Sequence, residues 1–193
     1  AAEIQQDIRN MGTEKALGLV EMRKRGLSLL RKRLGDEAIG YEELGGGELI
    51  LENEAFEMES LADLNDLLLP VFGRQVFSPD QHAPSGLGFQ TRHIRHFIRN
   101  HVEGQIHSGK MMKSLMRKAA QLGVEMLTAC KALKPEMVNG RWRTALENHY
   151  AEFSSERVAI CTNAFTGQFF PDLDLKPGRG QVLITAPLPG LRF

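Results

Sequence analysis

Several features that would place a protein in a functional class are absent from this sequence. Lys plus Arg and Asp plus Glu number 24 each, so no net charge favours nucleic acid, a membrane surface or an acidic ligand. No apolar run approaches the roughly 18 residues that are needed to span a bilayer. We therefore expect neither a nucleic-acid partner nor a membrane span.

Cysteine is scarce, and its two occurrences are far apart. Cys130 and Cys161 form no CxxC pattern, and both lie in apolar, strand-like surroundings. Such surroundings predict free, buried thiols rather than a disulfide. Free thiols in turn favour a cytoplasmic location.

Motifs that carry catalysis or metal binding are also missing. The sequence contains no HExxH and no GxSxG elbow, and its six histidines are scattered. The dinucleotide fingerprint GxGxxG begins at Gly86 and at Gly178, but Thr91 and Leu183 stand at the place of the last glycine. Residue patterns alone therefore predict no metal site and no catalytic site.

A phosphate loop is nearly present at residues 104–111, which almost match GxxxxGK[ST]. Met111 stands where the pattern needs a hydroxyl, and a thioether does not bind Mg²⁺. Ser108 has a simpler use as the N-cap of the helix that follows. The near match therefore favours a helix start over an NTPase site, which would depend on Lys110.

The length and composition fit a globular protein. With 193 residues, 42% hydrophobic and 25% charged, the chain corresponds to one domain or to parts of two. It opens on a helical pattern without methionine and closes on an apolar, strand-like segment. Together the two ends predict a piece cut from a longer protein.

Helical periodicity is clear in the first part of the chain. Residues 2–11 and 13–34 are predicted to be helices, with Thr13 as the N-cap of the second. One face of the second helix is basic, which favours a solvated surface over a phosphate or nucleic-acid patch. The apolar residues of its other face are Leu17, Val20, Leu27, Leu30 and Leu34.

The middle of the chain mixes short strands and helices. The predicted elements are a strand over 48–51, a helix over 59–69 ended by Pro70, a loop over 73–92 with room for one short strand, a strand over 93–102 and a helix over 108–122.

Strand patterns dominate after Gly123. A strand over 124–128 directly after a helix, and an apolar strand over 157–161, fit a parallel sheet that is buried on both faces. Antiparallel strands over about 129–134 and 141–148 are joined by a predicted hairpin turn at Asn139 and Gly140. With a last strand over 181–185, the predicted fold is α/β with an α+β portion.

Three segments match the motifs of one family in order and spacing. Residues 103–110 (EGQIHSGK), the following helix and residues 123–125 (GVE) match GQIxPxK–helix–GVE. Residues 158–165 (VAICTNAF) match VVxATGAW, and residues 179–188 (RGQVLITAPL) match RGQxxxTEPL. The departures of the chain from these motifs include Ser108 in the place of Pro, Asn163 in the place of Gly and Ala186 in the place of Glu. Together the segments resemble the D-amino-acid oxidase-like, FAD-dependent oxidoreductases, which include glycine oxidase and sarcosine oxidase.

The resemblance implies a domain organisation. Residues 1–106 would be part of a mixed-sheet substrate domain, and residues 107–166 part of a Rossmann-like FAD-binding domain. Residues 167–193 would be the linker and the strand that returns to the substrate domain. The family's strand–GxGxxG–helix unit would lie before Ala1, and further flavin contacts after Phe193.

The resemblance also implies which residues lie near FAD. Cys130 and Lys131 would approach the adenine end through their backbone. Thr162, Asn163 and Ala164 would pass close to the cofactor, again through the backbone. Asn163 is compatible with a left-handed conformation, although less freely than glycine. Ordinary sheet packing explains the same residues without a cofactor.

The implied activity is oxidation of an amine, an amino acid or a 2-hydroxy acid by hydride transfer to FAD. No residue is assignable as catalytic. Arg92, Arg95 or Arg99 could bind the carboxylate of a small-molecule substrate, although a surface position is favoured.

The 193 residues alone are expected to bind FAD weakly and to self-associate through exposed sheet edges, forming a homo-oligomer or aggregate. The alternative interpretation is a non-enzymatic binding module on a degenerate flavoprotein fold.

Overall fold

The computed structural model describes residues 1–147, 151–178, 180–184 and 186. The chain divides into two compact units, of which the first covers Ala1–Val124 and the second begins at Glu125. Helices and strands are mixed, and each unit holds one three-stranded antiparallel sheet. The fold is therefore mixed α/β. None of the helices in the described ranges is long and apolar enough to cross a bilayer.

The first two helices form as predicted. They are α1 (Ala2–Met11) and α2 (Thr13–Leu34), and the predicted apolar residues of α2 are half-buried. The N-cap of α2 is Gly12, so the prediction of Thr13 was wrong by one residue. Gly12 has a φ of 86°, which glycine adopts without strain and which turns the chain between the two helices.

A short helix and a long one pack together in the first unit. These are α3 (Asp36–Ile39) and α6 (Ser108–Gln121). Ser114 Oγ donates to the Ala38 carbonyl at 2.9 Å, and the His107 N–H donates to the Ile39 carbonyl at 2.9 Å. His107 is also the N-cap of α6, because its Nδ1 accepts the Lys110 N–H at 3.3 Å. Ser108, predicted as the cap, is instead the first helical residue.

The sheet of the first unit consists of β1 (Gly46–Leu51), β2 (Phe77–Pro79) and β3 (Ile94–Asn100) in the order β1-β3-β2. Leu49 of β1 lies opposite Phe97 of β3. The predicted strands over 48–51 and 93–102 are confirmed with small shifts. The predicted loop over 73–92 contains β2, the short helix α5 (Ala83–Gly86) and the start of a 3₁₀ turn over Thr91–His93.

Helix α4 (Leu61–Phe72) runs three residues beyond its predicted end at residue 69, and Pro70 lies inside it. Proline in the last turn removes only one N–H donor, and three buried leucines hold this helix against the sheet. The helix ends at Gly73, which has a left-handed φ of 72°. Packing thus outweighs the local preference that predicted a stop at Pro70.

The hydrophobic core lies between α4 and one face of the sheet, with α1 and α2 packed against it. Its buried members are Ile50, Phe56, Leu61, Leu64, Leu68, Val76, Phe77 and Ile98.

The second unit holds a meander of three short strands. They are β4 (Glu136–Val138), β5 (Arg141–Ala145) and β6 (Glu152–Ser155). Asn139 and Gly140 have φ angles of 52° and 76°, which confirms the predicted two-residue hairpin turn. The strand predicted over 129–134 was wrong, because only Ala132 makes an isolated bridge there, to Leu146. The strand predicted over 141–148 ends at Ala145, and residue 148 lies outside the described residues.

Three other predicted strands do not form. Residues 124–128, 157–161 and 181–184 have no strand partner among the described residues, and Thr185 lies outside them. A strand exists only where a neighbour takes its backbone hydrogen bonds, and the sequence pattern cannot show whether one is in place. The parallel sheet that these segments predicted is therefore not seen in the described ranges, and the prediction was wrong there.

Candidate functional site

The first predicted flavin contact is the segment around Cys130 and Lys131. Lys131 Nζ forms an ion pair with Glu147 Oε1 at 2.7 Å, and the Lys131 carbonyl accepts the Glu147 N–H at 2.8 Å. Cys130 is half-buried, and its Sγ donates to the Thr128 carbonyl at 3.3 Å. The pair with Glu147 anchors this segment to the second residue after the end of β5.

The second predicted contact, Thr162 to Ala164, lies at the start of a 3₁₀ helix over Asn163–Gln168. The hydroxyls of Thr162 and Thr166 are 3.0 Å apart, and the Phe165 N–H donates to the Thr162 carbonyl at 2.9 Å. Asn163 and Ala164 are exposed. Their backbone is therefore accessible to a ligand from the solvent side.

Backbone conformation singles out the same two segments. Among the described residues, three that are not glycine have a positive φ: Ala129 at 58°, Asn139 at 52° and Asn163 at 47°. Asn139 belongs to the hairpin turn, whereas Ala129 and Asn163 lie directly at the two predicted flavin contacts. Left-handed residues outside regular turns store strain, and such strain clusters at binding sites. This conformation fits a backbone that approaches a cofactor closely.

The two segments are not joined directly. No hydrogen bond or ion pair links Cys130 or Lys131 to Thr162, Asn163 or Ala164 in the ranges that the structure describes. The nearest cross-connection is the Lys134 ammonium, which lies 5.9 Å from the centre of the Phe170 ring. Sequence reasoning missed this contact, because a single Lys and a single Phe far apart in sequence give no signal.

Both cysteines are free, as predicted, but the prediction that they are buried was wrong. Cys161 is exposed and Cys130 is half-buried. The predicted strand around Cys161 would have covered it, and that strand is absent. No group of three or more His, Cys, Asp or Glu side chains in the described part of the chain could hold a metal ion.

The three arginines proposed to bind a carboxylate occupy different settings in the first unit. Arg92 Nε donates to His93 Nε2 at 3.0 Å, just before β3. Arg95 and Arg99 lie on one face of β3 with Phe97 between them, because side chains alternate along a strand. Arg99 is already bound by a carboxylate, whereas Arg95 is exposed and forms no ion pair within the described residues.

The partner of Arg99 is Asp80. Arg99 Nε donates to Asp80 Oδ2 at 2.7 Å, and Asp80 Oδ1 accepts the N–H groups of His82 and Ala83 at 3.1 and 3.0 Å. The hydrogen bond from Arg99 lowers the pKa of Asp80, and the two backbone N–H groups act in the same direction. Asp80 thereby fixes Arg99 against the start of α5.

Phe97 lies between the two arginines on this face of β3 but is buried, with only 7% of its surface exposed. A Cβ at Gly47 would overlap the Phe97 ring, so the absence of a side chain at this position leaves room for it. The Arg99 guanidinium lies 5.9 Å from the centre of this ring. This face therefore offers a ligand the exposed Arg95 guanidinium, which can bind the carboxylate of a small organic acid.

The near match to a phosphate loop does not fold as one. Gln105 pairs with Glu42 in an isolated bridge, and α6 begins at Ser108. A Cβ at Gly104 would lie 2.8 Å from Tyr41 Cε2, so this glycine allows close packing on Tyr41. This packing accounts for Gly104, and no observation favours an NTPase site.

Comparison with models of known protein families gives a match. A family model described as DAO, FAD dependent oxidoreductase, matches residues 6–192. The match spans nearly the whole chain and includes both predicted flavin-contact segments. No curated protein matches the chain.

Proposed function

Because the chain belongs to the family of FAD-dependent oxidoreductases, we propose that the whole protein oxidises an amine, an amino acid or a 2-hydroxy acid by hydride transfer to FAD. The observation that carries this proposal is the family match over residues 6–192. The strained backbone at Ala129 and Asn163 supports it, since both residues stand at the segments that the resemblance assigns to FAD.

In this proposal the chain holds the cofactor mainly through its backbone. The segment of Cys130 and Lys131 meets the adenine end, and Thr162, Asn163 and Ala164 pass beside the cofactor. FAD, when bound, accepts the hydride from the substrate C–H bond. The chain's own residues position the substrate, and Arg95 is the best placed of the three arginines to bind a substrate carboxylate, since it is exposed and forms no ion pair among the described residues.

The domain organisation is part of the proposal. Residues 1–106 belong to the substrate domain, residues 107–166 to a Rossmann-like FAD domain, and residues 167–193 return to the substrate domain. The 193 residues alone bind FAD weakly, because the sequence contains no GxGxxG loop to hold the pyrophosphate.

Flavin titration tests the cofactor assignment. We expect FAD added to the purified chain to bind weakly, with quenching of its fluorescence only at high protein concentration. Asn163→Gly, which restores the family residue, should bind at least as well as the parent. Asn163→Val should bind more weakly, because a β-branched residue disfavours the left-handed conformation. Equal binding by both variants would refute the role of this segment.

A second experiment tests the activity. The chain expressed together with its in-frame flanking coding sequence should bind FAD and lose its visible flavin absorbance when mixed anaerobically with an amine, an amino acid or a 2-hydroxy acid. A flavin-loaded protein that none of these substrates reduces would favour the alternative, a non-enzymatic binding module. Arg95→Ala should weaken reduction by acids more than reduction by simple amines, with Arg92→Ala as the matched control.

A further inference from the structure

Helix α2 carries an uneven share of the charge of this neutral protein. It holds seven Lys and Arg residues and two Glu residues. Six of the seven cations are exposed and Arg31 is half-buried, while the apolar residues of the opposite face pack toward the core. The zero net charge of the sequence therefore conceals a strongly basic surface on one helix.

A groove of about 800 Å³ runs along this surface, between α2 and the last turn of α4. Met22, Arg25, Leu29 and Lys32 form one stripe of α2 along the groove, at helical spacing. Met22 and Leu29 are 63% and 46% exposed. Apolar and cationic side chains thus alternate along a concave surface of the first unit.

Gly26 is one of the residues of α2 that line the groove. Gly26 lies in the interior of α2, where glycine costs roughly 1 kcal/mol relative to alanine. A Cβ at this position would meet nothing within 4 Å, so tight packing does not require the glycine. Space for a ligand in the groove is a reason for a glycine at position 26.

The cations of the groove differ in how far they are already bound. Lys24 Nζ donates to the Val71 carbonyl and lies 5.1 Å from the centre of the Phe72 ring. Arg25 and Lys32 form no ion pair with any of the described residues. The Arg25 guanidinium and the Lys32 ammonium are therefore free to pair with external carboxylates.

We propose that this groove binds an acidic, amphipathic helix of a partner protein. The apolar side of such a helix covers Met22 and Leu29, and its carboxylates pair with Arg25 and Lys32. A nucleic-acid backbone would use the cations and leave the apolar side chains in water. A flat membrane surface would not fill a concave groove, so both fit the surface less well.

The test uses the full chain and a synthetic helical peptide with Leu at positions i, i+3 and i+7 flanked by Glu. We expect fluorescence anisotropy of the labelled peptide to show saturable binding that weakens with salt. Arg25→Glu combined with Lys32→Glu should weaken binding at least about tenfold. Lys15→Glu, on the same helix but outside the groove, is the matched control and should bind like the parent.

A second pair of variants tests the shape of the groove. Gly26→Gln should weaken peptide binding by filling the groove, whereas Gly18→Gln, also open to solvent on α2, should not. Circular dichroism checks that each variant keeps its helix. The proposal is overturned if the peptide does not bind, if the charge reversal has no effect, or if anionic vesicles or duplex DNA bind through Arg25 and Lys32 while the peptide does not.

Discussion

The two units of the chain have similar apolar sequences but differ in how far their apolar residues are buried. All twelve buried hydrophobic residues lie between Ala16 and Ile98 in the first unit, and none of the described residues from Glu125 onward is buried. In the first unit, helices cover one face of a sheet. In the second, a narrow meander leaves apolar segments such as 181–184 in solvent. Strand-forming residues alone therefore do not make a core, because they need a second layer to pack against.

The largest expected effect comes from the core of the first unit. Leu68 is fully buried, so Leu68→Ala should lower the free energy of unfolding by about 2–5 kcal/mol. Leu183 is 90% exposed, and Leu183→Ala should change the free energy of unfolding by less than about 0.5 kcal/mol. Urea unfolding followed by circular dichroism measures both.

The same titration can separate the two units. All the α-helices of the described residues lie in the first unit, whereas Trp142, the single tryptophan, lies in β5 of the second. We expect the fluorescence of Trp142 to change at lower urea than the helical signal. Coincident transitions, or a large loss of stability in Leu183→Ala, would show that the units do not differ as described.

The next effect tests the close packing of the sheet in the first unit. Gly47→Ala should cost about 1–3 kcal/mol, because the added methyl overlaps the Phe97 ring. Gly167→Ala in the second unit, where a Cβ meets nothing within 4 Å, is the control and should be nearly neutral. Phe97→Leu should reduce the cost of Gly47→Ala in a double-mutant cycle. If the two substitutions prove additive, the contact is not the cause.

A smaller effect of opposite sign is expected at the strained backbone of the second unit. Ala129 has a φ of 58°, which costs a residue with a side chain roughly 1–2 kcal/mol. Ala129→Gly removes that strain but makes the unfolded chain more flexible, so we expect a net gain of about 0.5–1 kcal/mol. The Trp142 transition should move to higher urea. A loss of stability would mean that the left-handed conformation is not strained.

The smallest effect concerns the ion pair of Asp80 and Arg99 in the first unit. The folded-state pKa of Asp80 is lowered, so its contribution to stability is present above the ordinary aspartate pKa of about 3.9 and is lost as pH falls through the lower folded value. Asp80→Asn should therefore reduce stability at neutral pH and remove part of the decline below pH ~4. Thermal melts across this range measure both. If the stability of Asp80→Asn declines with falling pH as it does in the parent, other carboxylates cause the pH dependence.

The sequence predicted best the elements whose signal is local. Helices α1, α2 and α6 follow from apolar periodicity. The hairpin turn follows from Asn139 and Gly140, because these residue types favour a positive φ whatever their neighbours are. The strands over 124–128 and 157–161 were predicted from the same kind of pattern and do not form, because pairing depends on a neighbour. The helix end predicted at Pro70 was wrong because the burial of the leucines of α4 outweighs the local effect of proline.

The candidate site was predictable only in part. The left-handed conformation of Asn163 could be anticipated from its residue type and its place in the family motif. The strain at Ala129 could not, because alanine gives no sign of a positive φ. The pairing of Arg99 with Asp80 likewise joins residues that no local pattern connects.

The sheets of the two units differ in how far apart in sequence their paired strands lie. Gly46 must find Asn100 across α4, β2, α5 and a 3₁₀ turn, whereas β4 and β5 meet through two residues. Hairpins of the second kind close in about 1–10 μs, while pairing across a long stretch of chain is slower. We therefore expect the hairpin of β4 and β5 to form before the sheet of the first unit during folding.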